Sequence, residues 1–299
     1  MNNILKMKVF YGMLCFLFAF SLTVKAQDSV RVALVQAHLI WGDVKSNLWA
    51  FDKRVPLCKG ADVIVFPELF TSGCEMKKRD KEEAMRSKDE VASYYPTVIK
   101  RMKKWAKRSG ALVIASTIYK EEGKYYNRLL AVYPDGKYEY YDKHNCFKKG
   151  SFSPGDRHLT LEWKGIRFST YICYDLRFPE WSRNQGEYDV AIYIANWPES
   201  RQDDWNRLLR ERAIENEAYV VAVNCAGTDL TGLVYRGESC VIAPDGEVRA
   251  RCRDYWDDVV VHKVCKVHKV CGPLRGALST AACATVKHSP KDSCDLLTL

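Results

Sequence analysis

From Val30 onward, short runs of β-branched and aromatic residues alternate with longer stretches whose apolar residues recur three and four apart, and no other feature restricts the fold so strongly. "VRVALVQA" (30–37), "DVIVFPE" (62–68), "ALVIASTIY" (111–119) and "DVAIYIAN" (189–196) are apolar over successive residues, so both faces of each strand must be covered. Residues 44–58 place Leu48, Phe51, Val55 and Cys58 on one helical face. Residues 203–217 do the same with Trp205, Leu208, Leu209 and Ala213, behind acids in the first turn. A long basic helical stretch runs to Arg108, where Ser109-Gly110 supplies a C-terminal cap. "YPDGK" (133–137) and "WKG" (163–165) are turns between strand-like runs and add antiparallel pairs. "AYVVAVNC" and "ESCVIAPDG" follow as strand and strand-turn. Together these predict one mixed α/β domain, residues 28–260, with helices on the outer face of its sheet.

The two ends depart from this pattern. Residues 1–26 hold Lys6 and Lys8, an apolar stretch from Val9 to Val24, and a small-residue site at Val24-Lys25-Ala26. That order reads as a signal peptide directing export, to the periplasm or outside, with a mature N terminus at Gln27 and no stable membrane insertion afterwards. A cytoplasmic location is the alternative. Residues 261–299 open with the near-repeat "VHKVCKVHKVCG" and then lose periodicity, which predicts a disordered tail. His262, Cys265, His268 and Cys271 recur every three residues and would share a helical face, but a solvated Cys/His/Lys tail is the simpler reading, so no metal is assigned. The net charge of +9 does not argue for nucleic acid as a partner. The first 26 residues carry +3 and residues 262–299 carry +4, leaving +2 for the body.

Twelve cysteines in an exported chain would suggest a disulfide framework. Cys58, Cys74, Cys146, Cys173, Cys225 and Cys240 instead stand singly in apolar or loop contexts, so most read as reduced filler. Cys173 is different. It closes the strand-like run "TYIC" and is followed at once by "YDLRFPEW". A nucleophile at a strand end that turns sharply into a helix stands above the sheet with backbone N–H groups aimed at the same place. A thiol needs a base or a positive charge close by to attack a carbonyl near neutral pH. Glu68, after "VIVFP", and Lys143, after "YEYYD", occupy strand ends from which they could supply both.

"FPELFTSG", "YDKHNCF", "YICYDLRFPEWSRN", "YIANWP" and "RAIENEAYVVAVNCAG", in this order over about residues 30–250, closely resemble the nitrilase superfamily of carbon–nitrogen hydrolases, omega-amidase-like branch. The resemblance implies a four-layer α-β-β-α sandwich, commonly paired as a homodimer, and a small-molecule amide substrate hydrolysed without cofactor by Glu68, Lys143 and Cys173. It further implies that the Tyr174 backbone amide helps stabilise the oxyanion and that Asn196, Trp197 and Phe70 line the pocket. Asp175, Arg177 and Glu180 are expected to brace the elbow. Small omega-amides of dicarboxylates, such as 2-oxoglutaramate or 2-oxosuccinamate, are the implied substrates, with Arg177 or Lys148 as holders of the distal carboxylate. N-carbamoyl or nitrile substrates, or an interaction module that keeps only the scaffold, are the alternatives. The segment after the lysine, "HNCFKKGSFSPGDR", lacks the further glutamate of the family, and its one acid, Asp156, is not assigned that role.

Overall fold

The computed structural model describes residues 28–73, 81–147 and 151–267. The predicted signal peptide, Cys74, Lys148, His268, Cys271 and the tail from 268 lie outside the described residues. The first half of the chain lays down β1 (Ser29–Gln36), α1 (Val44–Arg54), β2 (Val63–Val65), α2 (Lys81–Ser93), α3 (Tyr95–Ser109), β3 (Leu112–Glu121), β4 (Lys124–Val132) and β5 (Tyr138–Asp142). The second half adds β6 (Thr160–Trp163), β7 (Ile166–Ile172), β8 (Val190–Ala195), α4 (Gln202–Asn216), β9 (Tyr219–Asn224), β10 (Ala226–Thr228), β11 (Val234–Arg236), β12 (Cys240–Ile242), β13 (Val248–Arg251) and β14 (Asp258–Cys265).

Two six-stranded sheets result, ordered β14-β1-β2-β3-β4-β5 and β13-β12-β9-β8-β7-β6, with β10 and β11 as a separate hairpin. Each sheet has three parallel strands, β1-β2-β3 or β7-β8-β9, flanked by antiparallel ones. The parallel strands need covered crossovers, which is why the helical stretches sit where the sequence alternates.

Strand pleating divides the apolar runs between three cores. Val32 and Leu34 of β1 point between the sheets and join Val63, Val65, Leu112 and Ile114 against Phe168, Ile172, Ile192, Ile194, Val221 and Val223. Their neighbours Ala33 and Val35 point outward, where Leu48, Phe51, Met102 and Trp105 of α1 and α3 cover them. On the opposite outer face Ala191, Tyr193, Val220 and Ala222 pack under Trp205, Leu209 and Ala213 of α4. The layers therefore run α-β-β-α, as the resemblance implied.

Boundaries differ from expectation where proline intervenes. The basic stretch ending near Arg108 is two helices, because Pro96 in the first turn of α3 has no N–H to donate back and so ends the hydrogen-bond ladder of α2. Pro56 similarly turns the end of the 44–58 stretch into a 3-10 turn over Val55–Cys58. Asp43 caps α1 by accepting the Ser46 N–H at 2.9 Å. Gly110 closes α3 at φ +67°.

The boundary at residue 260 is corrected. β14 pairs with all of β1, from Ser29 opposite Cys265 to Gln36 opposite Asp258, and Val264 is fully buried. Residues 261–265 are thus sheet, in an edge strand where the exposed Lys263 discourages further pairing. His262 and Cys265, three apart on an extended strand, project to opposite faces, so the shared helical face considered for metal ligation does not form. No disulfide forms among the described residues, and burial pushes the thiols of Cys58, Cys240 and Cys252 up to about 12.

Candidate active site

Four strand ends converge. β5 is antiparallel to β4, itself antiparallel to β3, so β5 runs the same way as β2 and ends on the same side. Glu68 follows β2, Lys143 follows β5, Cys173 follows β7 and Asn196 follows β8. Ligand sites at the carboxyl ends of strands are the rule in open α/β sheets, and here both sheets contribute.

Pro67 ends the β2 ladder, and Leu69 beyond it takes φ +45°, turning the chain so that the Glu68 side chain enters the interior. The carboxylate is 2% exposed and fully engaged. Its Oε1 accepts from Lys143 Nζ at 2.8 Å and from Asn127 Nδ2 at 2.7 Å, and its Oε2 accepts the Asn196 N–H at 2.8 Å. Asn196 Nδ2 also donates to the Glu68 carbonyl at 3.0 Å. Lys143 is 5% exposed. Burial pushes its ammonium down, but the charge of Glu68, then that of Cys173, overcomes this and the net displacement is upward. Lys143 therefore stays charged across the neutral range, and the Cys173 sulfur lies within its electrostatic reach.

Cys173 opens a 3-10 turn, Cys173–Arg177, with φ +49°, a left-handed backbone that costs a non-glycine residue roughly 1–2 kcal/mol. Asp175 holds it there. Its buried carboxylate accepts from the Ile172 N–H at 2.9 Å and Tyr141 OH at 2.7 Å through Oδ2, and from the Asn145 N–H at 2.8 Å and side-chain amide at 3.0 Å through Oδ1. Burial raises the Asp175 pKa, while the Lys143 charge and these donors oppose the rise. Tyr141 OH in turn accepts from Trp181 Nε1 at 3.0 Å and the His144 N–H at 3.1 Å. One carboxylate thus ties the elbow to the segment carrying Lys143. Asp175→Ala leaves several buried donors without an acceptor, so we expect about 3 kcal/mol less stability in urea denaturation and at least tenfold lower activity. A variant within 1 kcal/mol of the parent in that titration refutes the bracing role.

The sequence-predicted residues are not all brought together. Phe70 is corrected: it is fully buried among Phe51, Phe66 and Trp105 beneath α1 and α3, because the turn at Leu69 sends it to the helical side of the sheet. Trp197 is 2% exposed and packs on Trp205, with its backbone fixed by Asn224. The Tyr174 ring lies edge-on to Phe147 at 5.2 Å and to Phe178 at 5.5 Å, while its N–H belongs to the first turn, where no helical acceptor exists. Arg177 donates to Asp204 Oδ2 at 2.6 Å. Glu180 and Asp156 are exposed.

Sequence reasoning missed Asn127. An asparagine within the strand "YYNRLL" was the available signal, since a polar side chain there needs a buried partner. Among the described residues, the side-chain oxygens of Asn127 and Asn196 have no hydrogen-bond donor, which leaves two acceptors beside Glu68. A surface groove of about 670 Å³ beside Trp49, Leu57 and Val259 is lined by none of these groups.

Residues 31–266 match the carbon-nitrogen hydrolase family model. The chain is 40% identical over 225 residues to omega-amidase YafV of Escherichia coli strain K12, covering 74% of this chain and 84% of that one. It is 34% identical over 200 residues to 2-oxoglutaramate amidase of Bacillus subtilis strain 168, covering 64% and 74%. Among solved structures it is similar to XC1258 of Xanthomonas campestris, a CN-hydrolase superfamily protein with an arsenic adduct in its active site. That match has a TM-score of 0.73 and 33% identity, over 80% of this chain and 91% of that one. Saccharomyces cerevisiae Nit3, at 24% identity and TM-score 0.71 over 80% and 91%, shares the fold.

Proposed function

The chain belongs to the carbon–nitrogen hydrolase family and hydrolyses amide C–N bonds, and from that premise we propose that it releases ammonia from small omega-amides of dicarboxylates, of the 2-oxoglutaramate or 2-oxosuccinamate type, through a cysteine thioester. The observation that carries this reading is the buried 2.8 Å pair between Lys143 and Glu68, with the Cys173 sulfur within reach of the same ammonium.

In this mechanism Glu68 takes the thiol proton and the Cys173 sulfur attacks the amide carbon, forming the C–S bond. The negative charge on the carbonyl oxygen is met by Lys143 and the Tyr174 N–H. Collapse breaks the C–N bond, and Glu68 passes its proton to the departing nitrogen as ammonia leaves. Water then replaces it, Glu68 removes a proton from that water, and the resulting attack cleaves the thioester to return the thiol and the carboxylic acid. The acceptors on Asn127 and Asn196 suit the N–H groups of a primary amide.

Ammonia release measured across dicarboxylate omega-amides, neutral amides, N-carbamoyl amino acids and nitriles tests the substrate class. We expect the highest kcat/KM for the omega-amides, and hydroxylamine to divert the acyl group to a hydroxamate. Preference for a nitrile or an N-carbamoyl compound overturns the proposal.

A further inference from the structure

An omega-amide of a dicarboxylate brings an ionised group into the site at the end remote from the reacting carbon. Taking that carboxylate out of water is costly unless a cation with spare donors meets it. Lys143 is committed to Glu68, and Arg177 to Asp204. Arg201 is not so committed. No carboxylate among the described residues lies within ion-pair distance of its guanidinium. Of the acids nearest in sequence, Glu199 accepts from Tyr255 OH and Asp204 from Arg177 and Arg207, while Asp203 is exposed and forms no ion pair among the described residues.

Its position is built. Arg201 ends the 3-10 turn Glu199–Arg201 that follows Asn196, Trp197 and Pro198, and Trp197 Nε1 donates to its carbonyl at 2.7 Å. The guanidinium carbon stands 4.8 Å from the Phe147 ring centre and 6.0 Å from that of Trp197. Phe147 touches Tyr174, the residue after Cys173, and Trp197 follows Asn196, whose N–H holds Glu68. Arg201 is therefore one aromatic contact from each side of the candidate site. Phe147 is 39% exposed and Arg201 is half-buried, so this cluster is open to solvent. A guanidinium resting on aromatic faces keeps its in-plane N–H fork available for two-point binding of a carboxylate.

We propose that Arg201, held over Phe147 and Trp197, takes the distal carboxylate of the substrate and sets the preference for anionic omega-amides, an assignment that rests on the amidase reading above. Phe147 and Trp197 position it, and Arg177, paired with Asp204, supports the Trp197 face at 5.0 Å.

The test compares the parent chain with Arg201→Gln and Arg201→Lys on 2-oxoglutaramate and on butanamide, and measures how well glutarate protects Cys173 from iodoacetamide. For Arg201→Gln, kcat/KM on 2-oxoglutaramate is expected to fall about 10- to 150-fold, chiefly through KM, as loss of a hydrogen bond to a charged group dictates. Butanamide hydrolysis should stay within about twofold, and Arg201→Lys should recover part of the loss. Glutarate protection should weaken in parallel. Equal losses on the anionic and the neutral amide, or unchanged protection by glutarate, overturn the assignment. If the parent chain cleaves no amide, the amidase reading fails, and glutarate protection still decides the role of Arg201.

Discussion

Replacing Cys173 with alanine should lower amide turnover on the order of 10⁴-fold or more while leaving the fold intact, because the substitution removes the only atom proposed to bond covalently to substrate. Alanine keeps the left-handed backbone at φ +49° and its strain, so its melting temperature should stay close to that of the parent. Cys173→Gly should be equally inactive but more stable, by roughly 1 kcal/mol, since glycine adopts that backbone without a Cβ clash. The contrast separates chemistry from folding: backbone strain held at a reactive position is the arrangement by which a site trades stability for a preset geometry. Turnover retained within tenfold in Cys173→Ala would show that the sulfur is not the nucleophile. Steady-state ammonia release and thermal melts on the same samples decide both points.

The second large effect concerns the Lys143–Glu68 pair. Removing one member by Glu68→Gln or Lys143→Met strands a charge at a position no more than 5% exposed, which should cost about 3–5 kcal/mol of stability. Each single change should also reduce kcat by about 10²–10⁴-fold, through loss of the proton acceptor or of an oxyanion partner. The double variant Glu68→Gln/Lys143→Met should recover most of the stability and none of the activity, because a buried pair can be replaced by neutral groups at little cost. A double variant as unstable as the singles would mean that the damage is loss of packing and not an orphaned charge. The pair also sets a pH dependence. The folded pKa of Lys143 is raised above its ordinary 10.5, so its contribution is complete below that value. As pH climbs past 10.5 the unfolded chain releases this proton first, and stability declines. Urea titrations at pH 9 and 11 should show that decline in the parent and less of it in the double variant.

The layered architecture was legible before any coordinates, and for a physical reason. Runs such as "DVAIYIAN" are short, β-branched and apolar on successive residues, as a strand covered on both faces requires, and Leu48, Phe51, Trp205 and Leu209 recur at the helical period. The three candidate catalytic positions were legible as well, because Glu68, Lys143 and Cys173 each end a strand-like run and stand within recognisable blocks. The tail boundary was misread. "VVVHKVC" sets His262 beside Lys263 with no period-two pattern, and its partner β1 lies more than two hundred residues away in the chain. Phe70 was misplaced because the left-handed turn at Leu69 is invisible in a residue string.

The sequence by itself determined the order of strands and helices, since periodicity and proline placement are local properties of the chain. It also determined which residue types stand at strand ends. Only the tertiary structure decided that Asn127 and the Asn196 N–H hold the Glu68 carboxylate, that Asp175 clamps the elbow, and that Arg201 is left with aromatic rings and no acid. Those choices depend on which carboxylates and cations lie within about 3–4 Å of one another after two sheets have packed, and desolvation there decides which charges must pair. No local pattern encodes such distances.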